Sequence, residues 1–288
     1  GCAFAFGLKQ EGTEISGIYS NSGTSVEFLN RRMGTAFEND LKNTVMNSDL
    51  VLICVSDGQI GKVAEEISSM SEVINITEKA FIHCSGSLPS SVLEPLGMKG
   101  AAVGSLHPIQ SFADRENGWR GLYGIYYGYE GSKSARALCE RIVRGFEGEM
   151  LEIPADDKPI YHAAACVLSN YTVALSYICE KMLESIGIDR DAAVKAFAPL
   201  IKKTAENIVS FGSVKALTGP ISRGDYGVVE GHIKKIGEKI SFDSLDPPFF
   251  KRCQGIQVQG TVSEACCRFR ASCRHICFRR NLHFKNTR

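Results

Sequence analysis

The amino-acid sequence predicts an open, doubly wound α/β sheet followed by an all-helical C-terminal domain. Short apolar runs of strand length alternate with amphipathic stretches of helix length through the first half of the 288-residue chain. Small polar residues follow several of these apolar runs. Beyond Pro159 the apolar pattern has the period of long helices. Alternating elements followed by helices are typical of an α/β domain joined to a helical one.

The first predicted elements are a helix, a turn, a strand and a second turn. Residues 2–9 have a helical pattern, and residues 14–19 (EISGIY) form a strand that ends in a small polar cluster. A helix is predicted at 25–32. The next two apolar runs, 49–55 (DLVLICV) and 80–84 (AFIHC), are apolar on both faces, as in parallel strands covered by helices.

The remaining elements continue the alternation. Further strands are predicted at 102–106, 124–129 and 150–153, and further helices at 60–70 and 134–146. Helices at 159–183 and 190–211 follow. With right-handed crossovers, this order predicts a Rossmann-type doubly wound parallel sheet and then an all-helical domain.

Polar side chains follow four of the predicted strands. One polar strand end is an ordinary turn, but four on one edge indicate a ligand site, because such sheets bind ligands beyond the carboxyl ends of their strands. These strand exits contain Ser20, Asn21 and Ser22; Ser56 and Asp57; Ser85, Gly86 and Ser87; and His107, Pro108 and Gln110.

Composition excludes several classes of function. With 44% hydrophobic and 23% charged residues the chain is a globular protein. No apolar run approaches the roughly 18 to 20 residues needed to cross a bilayer, so no membrane role is expected. Nine of the 33 Lys and Arg residues, but one of the 32 acids, fall in residues 251–288. Residues 1–250 are therefore acidic overall and lack the excess of basic residues that is typical of nucleic-acid-binding proteins.

Six cysteines lie in apolar segments of the main body, where a reduced thiol packs as a small hydrophobe. This usage predicts a reducing compartment, and we expect a cytoplasmic protein. These cysteines are Cys2, Cys54, Cys84, Cys139, Cys166 and Cys179.

Gly1 stands where the last glycine of a dinucleotide fingerprint would precede its helix. At that position the backbone approaches the pyrophosphate, and the helix N-terminus faces it. The ribose-reading position, about twenty residues further on, falls at Ser20 to Ser22. On spacing alone, a single glycine here is equally compatible with an ordinary turn.

Four longer motifs occur in order: HCSGSLPSSVL at 83–93, VGSLHPIQSFAD at 103–114, DDKPIYHAAACVLSNY at 156–171 and ALTGPISRGD at 216–225. Together they resemble the Rossmann-like family with a DUF2520 C-terminal domain. That family resembles pyrroline-5-carboxylate reductase, 6-phosphogluconate dehydrogenase and the F420-dependent NADP oxidoreductases. The resemblance covers residues 1–239.

The resemblance implies three parts. Residues 1–154 would be the dinucleotide-binding domain, without the first strand and leading glycines that family members carry. Residues 155–240 would be the helical DUF2520-like domain. Residues 241–288, which are basic and rich in cysteine, no longer resemble the family, and we expect them to be disordered or non-native.

By resemblance the chain is an NADP-dependent oxidoreductase that transfers a hydride to or from a small molecule. Hydroxyl and amide groups at Ser20, Asn21 and Ser22, in place of an acid, favour NADP, although NAD stays possible. The alternative is a Ser/Asn-rich turn that caps the next helix.

Four more residues are predicted to lie against the cofactor: Val55, Ser56, Ser85 and Gly86. Asp57 is predicted to cap the helix that follows it. His83 lies inside an apolar strand, so we expect a core histidine there.

Three residues are the candidates for catalysis. His107 precedes Pro108 and is expected in an extended loop, where its imidazole could donate a proton. His162 and Asn170 share one face of the helix predicted at 159–183, and the resemblance implies that this face meets the nicotinamide. His162 or His107 would give or take the proton that accompanies the hydride, and Asn170 would orient the substrate. Alternatively, His162 and Asn170 form hydrogen bonds at a domain interface.

Arg223 is predicted either to clamp an anionic group of the substrate or to pair with Asp225. No metal is expected, because His162 and Cys166 are too few ligands and the cysteines of the tail fit no paired spacing. The expected partners are a small-molecule substrate and a second copy bound through the helical domain. A regulatory protein that senses NADP without turnover, or a product with neither activity, is the alternative.

Overall fold

The computed structural model describes residues 1–240 and 275–278. The described residues form two compact units, of which the first comprises residues 1–166 together with 275–278 and the second begins at Val167. Apart from residues 275–278, the tail predicted to be disordered or non-native lies outside the described residues.

The first unit alternates helices and strands, as predicted. In chain order it contains α1 Cys2–Gln10, β1 Ile15–Tyr19, α2 Thr24–Met33, α3 Leu41–Met46, β2 Leu50–Ile53, α4 Asp57–Ser69, β3 Ala80–His83, α5 Glu94–Gly97, β4 Ala102–Pro108, β5 Tyr126–Gly131, α6 Lys133–Gly145, β6 Glu149–Glu152, α7 Lys158–Cys166 and β7 His275–Phe278.

The strands form one sheet in the order β1-β7-β2-β3-β4-β5-β6. Strands β2, β3 and β4 are parallel. Because β7 is antiparallel to both β1 and β2, β1 runs in the same direction as β2. The predicted Rossmann-type sheet is confirmed, with a reversal between β4 and β5, which are antiparallel.

Helices cover both faces of this sheet. Every residue of β2 and β3 is buried, and alternate side chains enter opposite layers. Leu50 and Leu52 pack with residues of α1, α2 and α6, whereas Val51 and Ile53 pack with residues of α4. Burial on both faces explains why these strands are continuous apolar runs rather than alternating ones.

Strand β4 is longer than predicted. Residues 102–106 were expected as strand and His107 as part of a loop, but β4 continues through Pro108. His107 pairs with Gly128 of β5, and the Ile109 N–H donates to the Tyr126 carbonyl. The extended backbone favoured before proline is thus used within the sheet.

The second unit is helical, as predicted. It opens with a π-helical turn, Val167–Tyr171, followed by α8 Thr172–Glu184, α9 Arg190–Ala216, α10 Gly219–Arg223 and α11 Tyr226–Lys239. The single helix predicted at 159–183 is therefore interrupted by a π-helical turn. Within α9 the backbone kinks at Gly212, whose φ is 76°, one residue beyond the predicted helix end.

Large apolar side chains are exposed on each of these four helices. Examples are Val173, Leu200, Val209, Phe211, Val214, Ile221 and Ile233. None of the described helices combines the length and apolarity required to cross a bilayer.

Five of the six main-body cysteines are thiols, as predicted, namely Cys54, Cys84, Cys139, Cys166 and Cys179. The prediction was wrong for Cys2, which is disulfide-bonded. Only five of the six cysteines therefore support the prediction of a reducing compartment.

Candidate functional site

The predicted strand exits lie at one edge of the sheet. Tyr19 and Ile53, the last residues of β1 and β2, both pair with His275, and Ile53 is in register with His83 at the end of β3. Because β1 to β4 run in one direction, their carboxyl ends share this edge, which we call the carboxyl edge. The prediction that the exits converge is confirmed.

Two of the predicted catalytic residues come together at this edge. The rings of His107 and His162 have centroids 5.8 Å apart and are nearly perpendicular. Tyr161 also contacts His107, with its hydroxyl oxygen 2.8 Å from His107 Nδ1. These residues and Gly86 form what we call the histidine cluster.

Gly86 approaches both imidazoles closely. A Cβ atom at this position would lie 2.7 Å from His162 Cδ2 and 2.9 Å from His107 Cε1. Real Cβ contacts are not this short, so a side chain at Gly86 would displace a ring. The exit loop of β3 therefore brings its backbone directly against the histidine cluster.

Tyr161 is held by the sheet as well as by His107. Its ring is T-shaped to that of His107, with centroids 5.6 Å apart. Burial raises the pKa of the Tyr161 hydroxyl to about 12, opposed by a backbone hydrogen bond from Gly128. The Tyr161 hydroxyl is therefore protonated at neutral pH.

A buried lysine lies beneath the cluster. Lys158, the first residue of α7, is fully buried, and its ammonium donates to Ser105 Oγ at 2.7 Å and to the Ser85 carbonyl at 3.3 Å. Burial lowers the pKa of Lys158, whereas the carboxylate of Glu130 opposes the shift. This ammonium ties α7 to β4 and to the exit of β3.

Ser85 and His83 organise the same exit loop. The Ser85 hydroxyl accepts hydrogen bonds from the N–H groups of Ser87 and Leu88, each at 3.1 Å. The Ser85 N–H donates to His83 Nδ1, so His83 Nε2 carries the proton and donates to the Pro89 carbonyl. Burial lowers the pKa of His83 to about 3. His83 is a neutral core histidine, as predicted.

The first exit presents small polar groups. Ser20 is fully buried, and in the described part of the chain its hydroxyl has no hydrogen-bond partner, whereas Asn21 and Ser22 are exposed. Helix α2 is capped by Gly23 without a side-chain hydrogen bond, so the predicted alternative of a capping serine or asparagine is not observed. Gly1 is the N-cap residue of α1.

At the second exit Val55 is buried, and Ser56 is the N-cap residue of α4. The Ser56 side chain makes no capping hydrogen bond. The predicted cap, Asp57, is instead the first residue inside the helix, so that prediction was wrong. The extended backbone of Ser56, with φ −64° and ψ 150°, supplies the cap geometry.

The other two candidates belong to the second unit. Asn170 lies in the π-helical turn, whose wider winding ends the regular i, i+4, i+8 spacing that the prediction assumed. Arg223 is exposed, and its guanidinium pairs with the Asp225 carboxylate at 2.9 Å. This is the second of the two roles predicted for Arg223.

Lys158 and Tyr161 were missed from the sequence. Lys158 precedes the helix predicted at 159–183, and no pattern in the sequence marks it as buried. Tyr161 is next to His162, but its partners come from β4 and β5, which helical spacing does not reveal.

Metal ligands do not cluster in the described residues. Among the side chains that the structure describes in residues 1–240, no three from His, Cys, Asp or Glu come together in an arrangement that could hold a metal ion. The ring nitrogens of His162 contact only one such group on α7, the Cys166 sulfur at 3.8 Å.

Two family models match the chain. The model of a Rossmann-like domain matches residues 1–108, and the model of a domain of unknown function, DUF2520, matches residues 125–246. The chain therefore resembles a Rossmann-like domain over the first of these ranges and a DUF2520 domain over the second. The family predicted from the four motifs is confirmed, and the boundary predicted at 154/155 stays a prediction.

Solved structures share this architecture. Protein TM1727 from Thermotoga maritima is 27% identical over 71% of this chain and 77% of its own, with a TM-score of 0.56. A putative NADP oxidoreductase, BF3122 from Bacteroides fragilis, is 20% identical over 88% and 92%, with a TM-score of 0.66.

The pyrroline carboxylate reductase of Plasmodium falciparum, solved with NADP bound, is 14% identical over 81% of this chain and 87% of its own, with a TM-score of 0.57. At such identities the likeness to the last two structures shows the fold. Comparison with curated proteins gave no match.

Proposed function

We propose that this protein is an NADP-dependent oxidoreductase that transfers a hydride between nicotinamide and a small molecule. The observation that carries the proposal is the histidine cluster, which lies at the carboxyl edge where a Rossmann-like sheet binds its ligands. Two structural neighbours, a putative NADP oxidoreductase and a pyrroline carboxylate reductase solved with NADP bound, support it.

The residues at the carboxyl edge fit a dinucleotide. The first-turn N–H groups of α1 have no side-chain cap, as in a helix that faces a pyrophosphate. The buried Ser20 hydroxyl has no partner among the described residues, and the Ser56 hydroxyl makes no capping bond. Ser20 and Ser56 would contact the ribose groups, with Gly86 beside the nicotinamide.

The bound nicotinamide would supply or accept the hydride, and the protein must then provide the matching proton. We assign that task to His107. Tyr161 accepts a hydrogen bond from the Gly128 N–H, and we assign its hydroxyl as the donor to His107 Nδ1, 2.8 Å away. In a neutral His107 the proton would therefore be on Nε2. When that proton passes to a substrate, the Tyr161 proton would pass to Nδ1, and the Gly128 N–H would stabilise the phenolate oxygen left behind.

His162 would orient the substrate from the other side of Gly86, as its position next to His107 suggests. The exposed apolar residues of α8 to α11 support a homodimer formed through the helical unit, because patches of this kind mark interaction surfaces.

The test begins with cofactor binding. NADPH and NADH are titrated into the full chain while nicotinamide fluorescence is followed, and NADPH oxidation is then measured with a panel of imines and keto acids. Replacing His107→Gln should lower turnover about 10²- to 10⁴-fold, the usual contribution of general acid catalysis, while the Kd for NADPH stays unchanged. The matched control is His232→Gln, at an exposed histidine of α11.

Each outcome decides between candidates. Failure of both nucleotides to bind rejects the dinucleotide proposal. Binding without oxidation of any substrate favours the regulatory sensor. Turnover that is equal in wild type and His107→Gln removes His107 from the mechanism.

A further inference from the structure

Arg115 is brought to the start of α2 from a loop ninety residues away in the chain. Its Nη2 atom donates to Ser25 Oγ at 3.3 Å. Its guanidinium carbon lies 3.9 Å from the centroid of the Phe28 ring, in a cation–π contact. Two contacts on the first turns of one helix fix the orientation of the planar guanidinium. Helix α2 follows the exit of β1 directly.

The loop that carries Arg115 is ordered by its own hydrogen bonds. The Asp114 carboxylate accepts from the Glu116 N–H at 2.7 Å, from the Asn117 N–H at 3.1 Å and from the Asn117 side-chain amide at 3.0 Å. These bonds hold the pKa of Asp114 below its usual value. These hydrogen bonds fix the backbone of the loop on both sides of Arg115, and the loop therefore holds Arg115 in place beside α2.

A second cation acts on Arg115 from helix α2. Partial burial lowers the pKa of Arg115, and repulsion from the Arg31 guanidinium, also on α2, lowers it further. Residues 20–26, at the exit of β1, contain no acid. An anion placed near Arg115 and Arg31 would relieve their repulsion.

We propose that Arg115 binds the 2′-phosphate of the adenosine ribose and thereby makes the protein select NADP over NAD. The proposal rests on the proposed function, since it presumes that the dinucleotide lies along the carboxyl edge. In such sheets the ribose hydroxyls lie at the exit of the second strand of the motif, where an arginine accommodates a 2′-phosphate. Ser20 to Ser22 occupy that exit here, and the stacked guanidinium can present two parallel N–H groups to phosphate oxygens.

The experiment measures binding rather than activity. The dissociation constants of NADPH and NADH are determined by nicotinamide fluorescence for the wild-type chain and for Arg115→Gln. A second probe, 2′,5′-ADP, is compared with ADP as a displacer of bound nucleotide. The control is Arg120→Gln, at another exposed arginine, which stacks on Trp119 with its guanidinium 5.4 Å from the ring centroid.

Loss of one charge-assisted hydrogen-bond partner should raise the Kd for NADPH about ten- to hundredfold and leave the Kd for NADH unchanged. The advantage of 2′,5′-ADP over ADP should disappear in the same variant, whereas Arg120→Gln should behave as wild type. Equal weakening of NADPH and NADH would show that Arg115 only supports the fold of the site and would overturn the proposal. So would unchanged affinity for both nucleotides.

The result for the wild-type chain separates this proposal from the function on which it rests. If the wild type binds both nucleotides with equal affinity, the proposed function stands and the selectivity assigned to Arg115 fails. If it binds neither nucleotide, both fail together.

Discussion

His83 is a residue whose protonation is coupled to folding. Its folded pKa of about 3 is far below the unfolded value of 6.5, because the imidazole is buried and the Lys158 ammonium repels a positive charge there, whereas the hydrogen bond to the Pro89 carbonyl opposes the shift. The folded protein therefore excludes a proton that the unfolded chain binds below pH 6.5. Stability from this residue is complete above that pH and declines as the pH falls from 6.5 towards 3.

We expect His83→Gln to remove this pH dependence. The stability difference between wild type and variant should narrow by about 1 kcal/mol between pH 6 and pH 5, because one coupled proton is worth about 1.4 kcal/mol per pH unit. The free energy of unfolding is measured by urea unfolding, followed through the fluorescence of Trp119, the single tryptophan. Trp119 lies in the first compact unit, as does His83. His232→Gln serves as the control. If the free energy of unfolding changes with pH in the same way for His83→Gln as for the wild type, the prediction is contradicted.

At the scale of residues, the sequence predicted which residues lie at strand exits, but it did not predict which other side chains contact them. His107 was named because it follows an apolar run and His162 because of its place on a helix face and the family resemblance, and the structure places their ring centroids 5.8 Å apart. Lys158, Tyr161 and Arg115 were not, because each acts on a distant segment. The proton on His107 depends on Tyr161 and Gly128, and that arrangement exists only after folding.

At the scale of elements, helix N-caps offer a matched comparison. Ser132 caps α6, and its hydroxyl accepts a hydrogen bond from the Ala135 N–H at 3.3 Å. Ser56 caps α4 with a similar extended backbone but makes no side-chain capping bond. Only the first serine satisfies an N–H group that the helix leaves without a partner.

We expect Ser132→Ala to lower the free energy of unfolding by about 1 kcal/mol and Ser56→Ala to change it by much less. Urea unfolding of the two variants, again followed through Trp119, checks this. Equal destabilisation by the two substitutions would show that the Ser132 hydroxyl is not the cause. Because Ser56 is a proposed contact of the ribose, its replacement should instead weaken NADPH binding.

Elements were predicted well where burial alone sets the pattern. Strands β2 and β3 are buried on both faces, so their apolar runs mark them within a few residues. The direction of β5 was not predictable, because a strand's own side chains do not record whether its neighbour runs parallel or antiparallel. The π-helical turn Val167–Tyr171 was missed for a similar reason, since it follows the same apolar pattern as the α-helices on either side.

At the scale of the whole molecule, the apolar surface of the helical unit predicts association between copies. Phe211 on α9 is 61% exposed and Val209 is 87% exposed, and side chains of this kind gain free energy when covered. We expect the wild-type chain to sediment as a dimer and Phe211→Glu to shift it towards the monomer. Lys215→Glu introduces the same charge on the same helix and should leave the dimer intact.

Sedimentation equilibrium over a range of protein concentrations measures this shift. A wild-type chain that stays monomeric throughout, or a Phe211→Glu variant that dimerises as strongly as the wild type, would reject the helical surface as the interface.

The reversal of β5 has an evolutionary consequence. Because β5 runs against β4, it begins where β4 ends, and Gly128 thus meets Tyr161 through a main-chain amide. Any residue except proline supplies that amide, so point mutations rarely erase the donor itself. Selection would act on bulk alone, since a Cβ at Gly128 would collide with the Tyr161 hydroxyl. In descendants of this gene, we expect position 128 to remain glycine, because every other residue carries a Cβ.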